Sequence, residues 1–218
     1  MRRLHLAMAF GLVLGASAAA QIIQTIGFGA GTPGTLPPEF ETGLTGGGPP
    51  PRWEVVADPA AAEGKALAQL GTDRTDLRFP LAIHRSTPPA NVEATTRFKA
   101  VAGKVDQAGG LAVRLRDPGN YYVTRANALE DNVRFYRVVN GRRQQLASAD
   151  VKVSAGEWHT LTLRAEGNHF TVSFDEKELF AATDRTFAGP GKVALWTKAD
   201  SVTRFEWLSI KPLEATSR

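Results

Sequence analysis

The feature that most constrains the fold is a succession of short alternating segments separated by turn residues. Apolar and polar residues alternate from Leu111 to Arg116, which is the period of a half-buried β-strand. The residues Asp-Pro-Gly-Asn at 117–120 and the dipeptide Asn-Gly at 140–141 interrupt this alternation, and both are suited to sharp reversals. The region 109–146 therefore predicts three consecutive strands, with a further strand returning after residue 141.

The same pattern continues along most of the chain. Short strand-like segments follow one another from Trp53 to Ile210, with turn residues such as Gly-Asn at 167–168 between them. The one segment with a helical period, 59–67, is no longer than two turns. Because many short strands at this spacing are typical of a sandwich or barrel, we predict an all-β domain over residues 53–212. Its expected architecture is a two-sheet antiparallel jelly-roll sandwich, followed by a C-terminal tail at 213–218.

The N-terminus has the organisation of a secretory signal peptide over residues 1–20. Arg2 and Arg3 precede an apolar run at 6–15, and small alanine-rich residues follow it. The apolar run is about half as long as a membrane span requires. We therefore expect cleavage and export from a bacterium to the periplasm or the extracellular space. No transmembrane segment is expected after processing.

Residues 21–52 differ in composition from the rest of the chain. Gly and Pro are abundant, and the segment ends in GGGPPP. Such a composition buries little surface and predicts a linker or tail. Phe28, Leu36 and Phe40 are nevertheless available to pack on the domain that follows.

The composition argues against several functional classes. The chain of 218 residues has a formal net charge of +4 with many acids among its arginines. This balance is poor evidence for nucleic acid binding, which usually needs a concentrated basic surface. There is no cysteine, which excludes disulfides, zinc-cysteine sites and thiol catalysis. We expect a monomer that does not bind nucleic acid.

Three segments resemble a known family. They are NYYVTRANALEDNVRFYRVVNGRRQQLA, GEWHTLTLRAEGNHFTVSFDEKELF and GKVALWTKADSVTRFEWLSI. They resemble bacterial secreted domains with the concanavalin A-like jelly roll, in particular the keto-disaccharide hydrolase-type domains and their laminin-G-like relatives, which are related to family 16 glycoside hydrolases. The resemblance covers about residues 53–212. It implies a concanavalin A-like sandwich and, for an enzyme, an activity on keto-sugars.

The catalytic pattern of family 16 is not found in this chain. Its carboxylates alternate along one strand, whereas the acidic segment 174–178 here is predicted to be a hairpin turn. Retaining glycosidases need two carboxyl groups that face each other across the scissile bond. The segment 109–114 is similar only in outline to the Gly-rich strand leading to an arginine in the keto-disaccharide group. Whether the protein is an enzyme stays open, and His84 with Glu93 or Asp200 is the acid–base pair to consider.

The best candidate site is the polar face of the central strands. In such a jelly roll one sheet is concave, and alternate residues of its strands point into a groove. Tyrosine and tryptophan rings can stack on the apolar faces of sugars, while arginine and asparagine donate to their hydroxyls. The candidate ligand-binding residues are Arg114, Arg116, Tyr122, Arg125, Asn127, Asn132, Arg134, Tyr136, Trp196, Lys198 and Asp200. The alternative is a solvated outer face, with tyrosines and arginine stems covering the sheet.

No metal site and no cofactor are predicted. The histidines that follow residue 20 are far apart and lack the spacing of metal ligands. Asp117, Asn120 and Asp200 could supply oxygen ligands to a structural calcium ion, but the sequence contains no compact calcium loop. A salt bridge from Asp200 to Arg125 or Arg134 is the favoured alternative.

Three functions follow from these observations. The first hypothesis is a secreted domain that binds carbohydrate through its concave face, without turnover. The second is a glycoside hydrolase or lyase that acts on keto-sugars. The third is a structural or protein-interaction module of the cell envelope. The absent carboxylate pattern places binding before catalysis, so a carbohydrate or glycoside is the expected ligand.

Overall fold

A computed structural model describes residues 22–214, so the predicted signal peptide lies outside the described residues. This part of the chain contains fifteen strands. In chain order they are β1 (Gln24–Gly27), β2 (Phe40–Thr45), β3 (Trp53–Ala57), β4 (Lys65–Gln69), β5 (Phe79–His84), β6 (Val92–Ala102), β7 (Ala108–Asp117), β8 (Asn120–Asn127), β9 (Asn132–Val139), β10 (Arg142–Asp150), β11 (His159–Glu166), β12 (His169–Phe174), β13 (Lys177–Thr183), β14 (Lys192–Trp196) and β15 (Val202–Pro212). In residues 22–214 no helix is long and apolar enough to span a bilayer.

The strands form two antiparallel sheets. Sheet A has the order β13-β12-β11-β6-β15-β4-β3, and β1 also pairs with β15. Sheet B has the order β10-β9-β8-β7-β14-β5-β2. The three strands predicted within 109–146 are β7, β8 and β9, and β10 pairs back across Asn140-Gly141 as expected. The prediction of an all-β, two-sheet sandwich is confirmed.

The main core lies between the two sheets. Alternate residues of β6, β11, β12 and β15 face alternate residues of sheet B, as the period of two requires. Phe98, Phe170 and Phe205 from sheet A and Phe135 from sheet B are all at most 1 % exposed. Burying each such ring stabilises the fold by about 1.5–3 kcal/mol.

The segment 21–52, predicted as a linker or tail, contributes two strands to the sandwich. Strand β1 pairs with β15, and β2 pairs with β5 over its whole length. Phe28 and Phe40 are both buried in the main core. The domain therefore begins about thirty residues earlier than predicted. The Gly and Pro residues conceal this because they form the turns on either side of β2, where Gly34 before the strand and Gly46 after it adopt positive φ angles.

Sheet B is strongly curved, and its outer face is concave. Arg143 of β10 places its guanidinium carbon 4.8 Å from the ring centre of Phe79 in β5. Five strand-to-strand steps separate β10 from β5, which is about 24 Å across a flat sheet. An arginine and a phenylalanine cannot bridge that distance together, so the sheet must curl towards its outer side. Gly141 in the β9–β10 turn consequently lies beside Thr45 of β2, at the opposite edge.

Candidate functional site

The centre of the concave face is an aromatic cluster. Trp196 stacks on Phe79 with ring centres 5.2 Å apart, and its indole N–H donates to the hydroxyl of Tyr121 at 3.3 Å. The hydroxyls of Tyr121 and Thr45 share a hydrogen bond of 2.8 Å. Burial raises the pKa of Tyr121 to about 12, so this phenol stays neutral. Together with Tyr136, these rings form the floor of the concave face.

Arg143 covers this floor. Its guanidinium carbon lies 4.3 Å from the ring centre of Tyr136 and also over the ring of Phe79. Burial lowers the pKa of Arg143, but a guanidinium remains charged at any physiological pH. Within residues 22–214, five arginines have a buried guanidinium nitrogen without a hydrogen-bond partner, namely Arg78, Arg114, Arg125, Arg143 and Arg204. Two of these nitrogens, Arg125 Nε and Arg143 Nη1, lie on the concave face. Since buried donors are nearly always paired, two unpaired arginine donors on one face point to a ligand or to ordered water.

A polar network occupies the end of the concave face near the β8–β9 turn. Asp106 is fully buried, pairs with the ammonium group of Lys198, and accepts a 2.6 Å hydrogen bond from Asn127 Nδ2. Burial raises the pKa of Asp106, although Lys198 acts in the opposite direction. Glu130 Oε2 lies 2.8 Å from Arg125 Nη2. The network holds its charged groups in fixed positions beside the aromatic floor.

Seven of the predicted ligand-binding residues lie on or at the end of the concave face. They are Arg125, Asn127, Asn132, Arg134, Tyr136, Trp196 and Lys198. Arg125 and Arg134 are directly paired across β8 and β9, so the strand register brings them to the same side. Of the seven, Arg134 and Lys198 are the more accessible, whereas Trp196 is sealed beneath its neighbours. Ligand binding by this set stays a prediction.

Arg114, Arg116 and Tyr122 lie away from the concave face, contrary to the expected placement. Tyr122 points into the main core, because the side chains of β8 alternate and Tyr121 takes the concave side. Arg114 lies where β7 is irregular, with a φ angle of 50°, so the alternation is interrupted there. Its guanidinium lies between the sheets and donates to the carbonyl oxygens of Ala90 and Phe187, both at 2.9 Å.

Arg116 is exposed at the rim of the main core. Its guanidinium carbon lies 4.9 Å from the ring centre of Phe187, which belongs to the main core. The sequence pattern counted Arg114 and Arg116 on one side of a regular strand. The register of β7 against β8 shifts between Val113 and Asp117, so Arg114 and Arg116 do not share one face of the sheet.

Asp200 has a structural position in a loop. Its carboxylate accepts hydrogen bonds from the backbone amides of Lys104, Val105 and Asp106, at 2.8, 3.0 and 3.0 Å. Its ion-pair partner is Arg74, at 3.7 Å, rather than Arg125 or Arg134. The carboxylate thus serves to hold the 103–106 loop.

The other groups considered for chemistry are dispersed. Asp117 and Asn120 bond to each other in the β7–β8 turn, away from the loop that Asp200 holds. His84 bonds to Ser86 at 2.7 Å, whereas Glu93 pairs with Arg164 at 3.1 Å. The acid–base pairs and the calcium ligands considered from the sequence therefore belong to separate networks.

A groove of 790 Å³ lies beside the concave face, at the β9–β10 hairpin. It is lined by Arg137, Val139, Asn140, Arg142, Arg143, Gln144 and Thr186. Arg137 forms one wall, where its guanidinium donates to Asp184 at 2.8 Å and to Thr186 at 3.0 Å. Arg142 and Gln144 point to the side of Val139 and Arg137, whereas Arg143 points to the concave side, so Arg143 links the groove with the concave face across the edge strand β10.

Sequence reasoning missed four residues of the site, namely Phe79, Asp106, Tyr121 and Arg143. Tyr121 was one position from the tyrosine that was chosen, and only the register against β9 decides which of the two faces outwards. Arg143 follows the Asn-Gly turn at 140–141, so the sequence could predict its position next to the hairpin. The sequence could not predict its contact with Phe79, because that contact depends on the curvature of the whole sheet.

A curved sheet with an aromatic floor, backed by a second sheet, defines the class of lectin-like β-sandwiches. The sequence of residues 91–213, more than half of the chain, matches the family described as galactocerebrosidase, C-terminal lectin domain, and the chain belongs to this family. No curated protein is similar enough in sequence to count as a relative.

Solved structures share the fold. A carbohydrate-binding module CBM66 from Bacillus subtilis is 20% identical, with a TM-score of 0.61, and the match covers 78% of this chain and 94% of the module. A β-1,3-1,4-glucanase (lichenase) derived from a mouse hindgut metagenome is 12% identical, with a TM-score of 0.55 and coverage of 88% and 99%. A Bacillus subtilis protein of unknown function with a galectin-like fold is 9% identical, with a TM-score of 0.57 and coverage of 79% and 89%. These likenesses establish the concanavalin A-like jelly roll, as the sequence resemblance implied.

Proposed function

We propose that this protein binds carbohydrate on the concave face of sheet B, without turnover. The observation that carries the proposal is the pair of buried arginine donors, Arg125 Nε and Arg143 Nη1, that lack partners beside the rings of Tyr136 and Phe79. A sugar offers both kinds of group that such a surface needs. Its hydroxyl oxygens accept from the guanidinium groups, and its C–H face packs at Tyr136, since the rings of Phe79, Tyr121 and Trp196 are fully buried.

The family and fold comparisons support this proposal. The matched family is described as a lectin domain, and one similar structure is a carbohydrate-binding module. The absence of turnover rests on the carboxylates of the site. Asp106 pairs with Lys198 through one oxygen and accepts a hydrogen bond from Asn127 with the other, so both of its oxygens are already engaged. Glu130 is held in ion pairs with Arg125 and Arg134.

We further propose that the protein acts outside the cytoplasm as a monomer. The signal-like residues 1–20 and the absence of cysteine from the chain motivate the first part. The proposal of a monomer is motivated by the concave face, because one sheet of a single chain forms all of it. Secretion in the native host and size-exclusion chromatography with light scattering would test the two parts separately.

A glycan array on the purified protein tests the proposed function. Binding of the best glycan is then measured by calorimetry for Tyr136→Ala and Arg143→Gln. Each variant should bind at least about tenfold more weakly, which corresponds to the loss of one stacking contact or one buried hydrogen bond. Arg52→Ala is the matched control, since Arg52 is exposed at the start of β3 in sheet A and should leave binding unchanged.

Folding of each variant is checked by its thermal melting curve. A protein that binds no glycan on the array, or whose affinity is the same in Arg143→Gln and in Arg52→Ala, would contradict the proposal. Because Arg143 is partly exposed on an edge strand, its substitution tests binding even if Tyr136→Ala does not fold.

A further inference from the structure

The groove at the β9–β10 hairpin carries a charge that a neutral sugar would not need. Three arginines contribute to its lining, Arg137, Arg142 and Arg143, and no carboxylate residue does. Asn140, Gln144 and Thr186 supply the remaining polar groups. The lining thus combines positive charge with neutral hydrogen-bonding groups.

Only one of the three guanidinium groups is neutralised. Arg137 pairs with Asp184 at 2.8 Å and also donates to Gln144 Oε1 at 2.7 Å, so it forms an ordered wall. Within residues 22–214, Arg142 and Arg143 have no carboxylate at ion-pair distance. Arg142 is exposed, whereas Arg143 has one buried nitrogen without a hydrogen-bond partner. Both guanidinium groups are thus uncompensated, and they leave β10 on opposite sides, Arg142 beside Val139 and Arg143 on the concave side.

Two more arginines border the same region. Arg116 lies over the ring of Phe187 at 4.9 Å, and Arg185 precedes Thr186 in the chain. Neither forms an ion pair with another residue in the described part of the chain. In contrast, Arg52 and Arg85 on other surfaces have carboxylates at 2.6 and 2.9 Å. A cluster of unpaired arginines beside a groove produces a positive potential that attracts anions.

We propose that this groove binds an anionic group of the glycan, either the carboxylate of a uronic acid or a sulfate ester, through Arg142. This inference rests on the proposed function and adds the chemical class of the sugar. The planar guanidinium group matches the oxygens of both anions with two parallel hydrogen bonds, which an ammonium group cannot provide. Arg143 and the ring of Tyr136 then contact the adjoining sugar unit, across the edge strand β10 on the concave side.

Three polymers with the same backbone provide the test: dextran, carboxymethyl dextran and dextran sulfate. Binding to each is measured by calorimetry at low and at physiological salt. At least one charged polymer should bind about tenfold or more tightly than dextran, as expected for a charge-assisted pair. The stronger of the two charged polymers identifies carboxylate or sulfate as the preferred group.

Variants then locate the site. Arg142→Gln should remove most of the preference for the charged polymer, and Arg142→Lys should restore only part of it. Arg52→Gln is the control, because it removes the same charge from the opposite sheet and should leave the preference unchanged. A preference that falls equally in Arg142→Gln and Arg52→Gln reflects net charge alone and would overturn the assignment.

The outcomes separate this inference from the proposed function. Equal binding to the three polymers, or binding to none of them while neutral glycans on the array are bound, overturns the anion site and leaves carbohydrate binding in place. The absence of binding both to the array and to the polymers contradicts the two together.

Discussion

Two adjacent tyrosines show how position in a strand determines the role of a residue. Tyr121 and Tyr122 are both fully buried, and both have a pKa raised to about 12. Burial is the main cause for each, and for Tyr122 the nearby carboxylate of Asp184 adds to it. Tyr121 belongs to the concave face and bonds to Trp196, whereas Tyr122 fills the main core and donates to Asp184 at 2.6 Å.

The role of a single residue can be tested at Asp200, whose carboxylate holds the 103–106 loop. Asp200→Ala leaves three amides of the 103–106 loop without their acceptor and should destabilise the protein by about 2–4 kcal/mol. Asp200→Asn keeps one acceptor oxygen and should cost less. Urea denaturation of both variants measures the difference, and equal stability of Asp200→Ala and the unmodified protein would contradict this role.

The pH dependence of Asp200 provides a second readout. Burial raises the pKa of this carboxyl, but the three loop amides outweigh that effect, so the pKa lies below its ordinary value. A carboxyl with a lowered pKa in the folded state stabilises the protein above the unfolded value of about 4, and this contribution is lost at lower pH. The Asp200→Asn variant should therefore lose less stability below pH of about 4 than the unmodified protein does.

At the scale of the element, β7 depends on glycine to fit between its neighbours. The sequence predicted the strand from its alternation, and the structure confirms it. A Cβ atom at Gly109 would lie only 2.4 Å from the ring of Phe98 in sheet A, and one at Gly110 would lie 2.6 Å from the carbonyl oxygen of Thr124. Gly109 thus allows the two sheets to approach, and Gly110 allows β7 to lie close to β8 within sheet B. A sequence pattern alone does not reveal either contact.

Gly109→Ala should consequently destabilise the protein. The added methyl group must displace the Phe98 ring, and overpacking of this kind costs about 1–3 kcal/mol. Gly189→Ala is the matched control, since a Cβ atom there has no neighbour within 4 Å. Chemical denaturation measures the free energy of unfolding of the two variants. Equal values would show that the Phe98 ring can be displaced at no cost and would contradict the prediction.

At the scale of the molecule, the curl of sheet B creates the site. It brings Arg143 from one edge strand over Phe79 near the other edge, and it turns an outer face into a concave one. The N-terminal strand β2 completes the curl, because it forms the edge of sheet B and its Thr45 bonds to Tyr121. Residues that composition predicts as a linker are thus part of the binding domain.

A truncation tests this extended domain boundary. A chain starting at Arg52 lacks β1 and β2 and loses the buried rings of Phe28 and Phe40, each worth about 1.5–3 kcal/mol. Since a domain is stable by only about 5–15 kcal/mol, this chain should melt far below the full-length protein or fail to fold. A chain starting at Ile22 is the control and should keep the melting temperature of the full-length protein. Equal melting of the two truncated chains would place the boundary at residue 52.

The sequence by itself determined the fold class, most of the strands and the placement of seven of the eleven predicted site residues. Alternation and turn residues are local signals, so β7 to β10 and their hairpins could be predicted, and with them Arg125, Arg134 and Tyr136. The tertiary structure decided which side of each strand faces the groove. Register places Tyr121 rather than Tyr122 on the concave face, an irregularity takes Arg114 into the core, and curvature brings Arg143 to Phe79. These depend on contacts between residues far apart in the chain, which no local pattern of side chains encodes.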